Sequence, residues 1–336
     1  QFTKNNVIFT HNGSEFTNET LFALLYQCSE GKENNKSIGR FGTGSLSTSV
    51  LSRKYQLSGD VKTSNSGKEK IYSFKVDVNR EGETIQKLQE GVKKMDESFV
   101  KSDEIKGETS FKYDVDFKNK TSINAYSIGL SSLKNNAPIV VILNNLIESI
   151  IIVDEKEQET LTYTAKPEKD HIQSVIVERN KKKVKEYRYL YFYSKEKFEF
   201  GDIVKDVQID CLLPIGPENN IIPVNQNDFL FIYLPIFGMN QFTSPIIINS
   251  PDFEPEKERN ELIFQFDNVK DSYESSINKF IISGVVKLYD QIVQYSLELK
   301  CTNLFNLSCG LSLESNKFIT ENFIKKMREI ISNKPI

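Results

Sequence analysis

Apolar and polar residues alternate over Tyr55 to Val61 and over Ile71 to Val78, the two-residue period of strands with one buried face, and Asn6-Val7-Ile8-Phe9-Thr10 reads as a further strand. Thr17 to Gln27 reads as a helix, and Ile85, Leu88, Val92, Met95 and Phe99 recur at three- and four-residue spacing, which predicts an amphipathic helix packed on a core. Leu46 to Leu51 reads as the start of a further helix behind a glycine-rich run, and Gly107 to Tyr113 as a turn leading into a strand. Ala137 to Ile152 is apolar around a central Asn144-Asn145 turn and reads as the last strands of a first domain ending near residue 155.

Beyond that point, Thr160 to Thr164, His171 to Val177, Tyr187 to Phe200, Val204 to Leu213 and Phe229 to Phe237 are rich in aromatic and β-branched residues and read as strands. Helical spacing returns at Ile277, Phe280, Ile281, Val285, Leu288, Ile292 and Tyr295, then at Phe318, Phe323, Ile324, Met327 and Ile331. The chain is therefore expected to be α+β, with domains at 1–155 and 156–336, and its 336 residues suit two separate cores.

Charge narrows the partners. With 43 basic and 46 acidic residues the net charge is only −3, which makes no overall case for nucleic acid or an anionic membrane. The run Arg179 to Lys185 reads as a solvated hairpin tip. Four cysteines, Cys28, Cys211, Cys301 and Cys309, form no CxxC pair, and His11 and His171 are the two histidines, so a zinc site is not expected. Sparse cysteine fits a reducing, cytoplasmic setting, with Cys28 a small buried residue on its helix. Ile139 to Ile152 is broken by Asn144, Asn145 and Glu148 and falls short of the roughly 18 apolar residues that span a bilayer. Two histidines and no GxSxG motif leave little for a hydrolase of the triad type.

The chemistry concentrates in Ser37-Ile38-Gly39-Arg40-Phe41-Gly42-Thr43-Gly44-Ser45. Three glycines in GxxGxG spacing let a backbone curl around phosphates, and the amides there and at the next helix start can bind an anion. Upstream lies His11-Asn12-Gly13-Ser14-Glu15-Phe16, between a predicted strand and a predicted helix. On these two motifs the chain resembles the GHKL ATPases, named for gyrase, the heat-shock chaperone, histidine kinases and MutL, and within them the branch containing the sacsin amino-terminal ATPase-like region.

The resemblance implies a GHKL-type α/β sandwich followed by a chaperone-middle-like α+β domain, with ATP and Mg2+ as cofactors. His11, Asn12, Gly13 and Phe16 would then lie at the base, and Gly39, Phe41, Gly42, Thr43, Gly44 and Ser45 would form the phosphate lid. His11 stands where the family has Asp, so a fixed carboxylate acceptor for the adenine amine is missing, and Ser45 replaces an aromatic. A Gly-Thr pair closes the family's pocket; here Thr109, two residues after Gly107, would bring its hydroxyl to a phosphate. The family's water-activating Glu and Mg2+-binding Asn would precede residue 1, so the chain reads as an amino-terminally incomplete piece, or else as a degenerate ATPase. The acidic, proline-punctuated stretch Ile248 to Asn260 resembles the chaperone loop whose arginine reaches the γ-phosphate, which makes Arg259 the catalytic candidate; an arginine fitted with glutamates on both sides can equally form surface ion pairs. The implied function is an ATP-binding segment in which nucleotide controls lid and interdomain conformation, with ATP and ADP, client proteins and a dimer partner through regions outside the chain as its partners. A catalytically degenerate nucleotide-responsive scaffold and a DNA-linked ATPase of the MutL or MORC kind are the alternatives.

Overall fold

The computed structural model describes residues 1–26, 48–65, 68–168, 170–225, 229–236, 242–256, 260–264, 271–308 and 316–334. The chain is α+β and divides into two compact units, Gln1–Lys134 with Ile151–Thr160, and Asn135–Ile150 with Leu161–Ile336.

The first unit is built from strand β1 (Asn6–His11), the short β2 (Phe16–Thr17), helix α1 (Asn18–Tyr26), the long hairpin β3 (Lys54–Asn65) and β4 (Lys68–Asn79), helix α2 (Ile85–Ser98), β5 (Val100–Ser102) and β6 (Thr109–Asp114). Its sheet runs β1-β6-β3-β4-β5 with antiparallel neighbours, and β2 adds in parallel to β3. Tyr55, Leu57 and Val61 of β3 share one face with Phe74, Val76 and Val78 of β4 and Tyr113 of β6, and Leu21 of α1 and Met95 of α2 close the core over them. Thr84 caps α2 by accepting from the Lys87 amide at 3.3 Å. Gly91 is where the helix meets the sheet: a Cβ there would lie 2.8 Å from the Asn79 carbonyl oxygen.

The apolar stripe of α2 is only half used. Met95 is buried and Phe99 packs on the core, whereas Ile85, Leu88 and Val92 are 73%, 45% and 42% exposed. Gly91 abuts Asn79, the last residue of β4, and Ser98 accepts from the Asp77 amide, so only the C-terminal turns of α2 lie over the strand. The helix expected from Leu46 to Leu51 is, in its described part, a single 3-10 turn at Thr48–Val50.

Ala137 to Leu143, expected as strand, is instead the last part of α3 (Lys120–Leu143), a 24-residue helix that contains Pro138. A helix-interior proline removes one hydrogen bond and costs about 3 kcal/mol. Burial of Ala137, Ile139, Val140, Val141 and Leu143 opposes that cost, so packing overrides the β-branched composition. The Asn144-Asn145 turn is present: the Asn144 amide still bonds the Val140 carbonyl, its side chain accepts from the Leu146 amide at 3.1 Å, and β7 (Ser149–Asp154) follows.

The second unit takes in most of β8 (Glu159–Pro167) and then β9 (Ile172–Arg179), β10 (Lys182–Phe200), β11 (Ile203–Ile215), β12 (Leu230–Ile232), β13 (Leu234–Pro235) and β14 (Ile247–Asn249) in the order β13-β12-β14-β11-β10-β9-β8. The basic run forms the β9–β10 hairpin, with Arg179 paired to Lys182 around Asn180 and Lys181. Expected as one strand, Phe229 to Phe237 is interrupted at Tyr233, whose φ is +60° and whose amide is held by the Asn249 side chain at 2.8 Å. Helix α4 (Tyr273–Glu298) buries Ile277, Ile281, Val285, Leu288, Tyr289 and Ile292, and it approaches β11 so closely that a Cβ on Gly284 would meet the Ile209 side chain. The chain closes with helical residues Lys317–Ile319, a π turn at Thr320–Ile324 and α5 (Lys325–Ser332). No helix among the described residues is long and apolar enough to cross a membrane.

Candidate functional site

Antiparallel pairing sets His11, the last residue of β1, directly opposite Thr109, the first residue of β6, and Phe9 opposite Phe111. Directly paired residues share a sheet face, as do residues two apart, so Phe9, His11, Thr109 and Phe111 form one cluster. Phe111 in turn pairs with Leu57, so this is the face that carries the core. The cluster lies at the β1 edge of the face that carries the core, where Val7, His11 and Phe111 are partly buried and Phe9 is 57% exposed. Its ring centroid is 5.7 Å from that of His11 and 6.3 Å from that of Phe111. Thr109 is buried because Gly59 has no side chain, since a Cβ on Gly59 would lie 2.9 Å from the Thr109 hydroxyl oxygen.

The turn after β1 is held by His11 itself, whose Nδ1 accepts from the Gly13 amide at 3.2 Å. That is the two-residue-ahead bond an Asp or Asn makes in an Asx turn, supplied here by an imidazole. Burial lowers the His11 pKa, which favours the neutral ring that can accept this bond. Asn12 and Gly13 are exposed in the turn. Phe16 is partly buried against the core, paired in register with Val61 and edge-on to Phe74 at 5.9 Å, so Phe9 presents the more open ring. Sequence reasoning passed over Phe9, although its two-residue spacing from His11 was the available signal.

Asp60 was also missed. It is buried inside β3, next to Gly59, and accepts from the Lys106 amide at 3.0 Å and the Gly107 amide at 2.6 Å. Gly107 has a φ of +70°, which glycine adopts freely. Asp60 thus fixes the turn that delivers Thr109 to its place opposite His11. The legible signal was a charged residue in the middle of an apolar strand.

Gly39, Phe41, Gly42, Thr43, Gly44 and Ser45 lie outside the described residues, as do Cys28, Cys309 and Arg259. The described flanks of Arg259 are clamped from α4: Asn278 accepts from the Glu254 amide at 2.9 Å and donates to the Glu254 and Ile263 carbonyls at 2.8 and 3.0 Å. Among the described residues no group of three or more His, Cys, Asp or Glu is arranged to hold a metal ion. A cleft of about 330 Å³ opens between α1 and α2, but its lining is mostly apolar and its Tyr26 hydroxyl is bonded to Asp96. None of the sequence-predicted residues lines it.

A second polar cluster lies wholly within the other unit. Asp210, buried in β11, accepts from the Tyr191 hydroxyl at 2.8 Å, the Gln208 side chain at 3.1 Å and the Asn249 side chain at 2.8 Å, and burial raises its pKa. Its carboxylate is saturated by the protein's own donors, which gives the cluster a structural role. No family model, curated protein or solved structure matches this chain.

Proposed function

We propose that the chain is a nucleotide-binding segment of the GHKL kind, in which the base sits on the open part of the β1–β6 face and the phosphates are taken by the glycine run Gly39 to Gly44. One observation carries this reading: strand pairing brings His11 and Thr109, both singled out through the resemblance, side by side on a face where Phe9 is 57% exposed. An exposed aromatic beside a half-buried imidazole with one uncommitted nitrogen suits a planar heterocycle, since the ring supplies stacking area and the imidazole reads its edge. The order of β1, the His11-Asn12-Gly13 turn, the two-residue β2 and α1 is compatible with the same reading. In it, Thr109, expected at a phosphate, is instead buried beside His11 and backs the base end, and Arg259 stays the candidate for sensing the terminal phosphate.

Titration calorimetry of the chain with nucleoside triphosphates, with and without Mg2+, tests the proposal. The expected result is saturable binding that is lost in Gly42→Asp/Gly44→Asp, where two carboxylates meet the phosphates, and weakened about tenfold in Phe9→Ala by loss of stacking. Binding that survives both changes would place the nucleotide elsewhere.

A further inference from the structure

A backbone N–H can only donate. Because the Gly13 amide lies 3.2 Å from His11 Nδ1, that nitrogen must be the unprotonated one. Turning the ring over would set a carbon against the amide, and protonating both nitrogens would set N–H against N–H. The neutral ring carries its single proton on Nε2, which has no protein partner among the described residues. Where a carboxylate would offer only acceptors, this turn therefore offers a donor. Thr109, opposite His11 in register, is a hydroxyl that can donate or accept, so it does not reverse the preference.

We propose that His11 selects a purine nucleotide with a carbonyl at position 6, the hypoxanthine or guanine type, over an adenine nucleotide. This rests on the nucleotide reading above. Adenine carries an amine at position 6, and a donor facing a donor leaves two N–H groups unmatched, whereas the 6-oxo group accepts the Nε2–H. The exposed Phe9 ring, 5.7 Å from the imidazole and inclined 46° to it, offers stacking to either base, so the discrimination falls on the edge contact. For one neutral hydrogen bond at a half-exposed position the expected preference is about tenfold.

The test is calorimetric titration of the whole 336-residue chain with inosine, guanosine and adenosine triphosphates and with inorganic triphosphate. Inosine triphosphate differs from ATP at the position-6 group and the N1 proton that accompanies it and lacks the guanine amine. It should bind about tenfold more tightly than ATP to the wild type. His11→Asp should reverse that order, because an Asp at this position keeps the Gly13 turn by the ordinary Asx bond while exposing an acceptor. His11→Asn, whose amide carries both a donor and an acceptor, should bring the ratio near one. Equal or tighter binding of ATP by the wild type overturns the proposal without touching the nucleotide reading, and this outcome needs no variant to fold. A ratio unchanged in a His11→Asp protein with wild-type circular dichroism also overturns it. Inorganic triphosphate binding as tightly as every nucleotide means that the base is not read at all. Absence of binding by all of them overturns the nucleotide reading and this inference together.

Discussion

Asp60 in the first unit and Asp210 in the second are both buried carboxylates, 3% and 1% exposed, but they spend their oxygens differently. Asp210 accepts from side chains alone, those of Tyr191, Gln208 and Asn249, and ties β10, β11 and β14 into one network. Asp60 accepts from backbone, the amides of Lys106 and Gly107, and so sets the path of one loop. The first arrangement closes on itself; the second positions a neighbour, Thr109, which is buried itself but lies opposite the half-buried His11. A saturated polar cluster stabilises, and a cluster with one committed atom and one outward atom, as at His11, is where a ligand can enter.

The largest effect that could break this comparison is expected at Asp210. Asp210→Ala leaves three donors without their acceptor, the buried Asn249 among them, and should cost about 4 kcal/mol in urea unfolding, with no change in nucleotide affinity. A loss of affinity of the same rank would mean that the saturated network serves the site after all. Asp60→Ala should cost less stability, about 2 kcal/mol, but should also weaken nucleotide binding several-fold, because the turn that delivers Thr109 is released. Gly91→Ala is intermediate in cause and small in size: the added methyl meets the Asn79 carbonyl and outweighs the gain in helix propensity, for a net loss of about 1 kcal/mol in thermal unfolding.

The smallest effects are in pH, and the two titrating groups act in opposite directions. Burial lowers the His11 pKa below its ordinary 6.5, so its contribution to stability is present above that value and is lost as pH falls through the folded-state value. The melting temperature should decline on acidification below about pH 6.5, and that part of the decline should be absent in His11→Asn. Burial raises the Asp210 pKa above its ordinary 3.8, so its contribution is fully present below that value and is lost as pH rises through the folded-state value. Asp210→Asn should flatten the profile there. A wild-type profile unchanged by His11→Asn would show that the imidazole is not the acceptor of the Gly13 amide.

Much of the local order was legible in the chain. Alternation located β3 and β4, the apolar run Val7-Ile8-Phe9 located β1, the Gly107 turn announced β6, and helical spacing located α2 and α4, because a strand with one wet face and a helix with one apolar stripe write their periods into the sequence. The turns at Asn12-Gly13 and Gly107 were legible too, since glycine and asparagine between apolar runs are local signals, whereas the roles given to His11 and Thr109 came only from the resemblance. What alternation could not show is how far an apolar run is covered. The stripe of α2 was read as core from end to end, and only the position of Gly91 against the end of β4 leaves Ile85, Leu88 and Val92 in solvent. Ala137 to Leu143 carries the composition of a strand and became helix because burial of its side chains outweighs one proline. The pairing of His11 with Thr109, the exposure of Phe9, the loss of Phe16 to the core and the hold of Asp60 on the Lys106-Gly107 turn all depend on strand register. Register is decided by contacts between residues distant in the chain, and no window of sequence contains both partners.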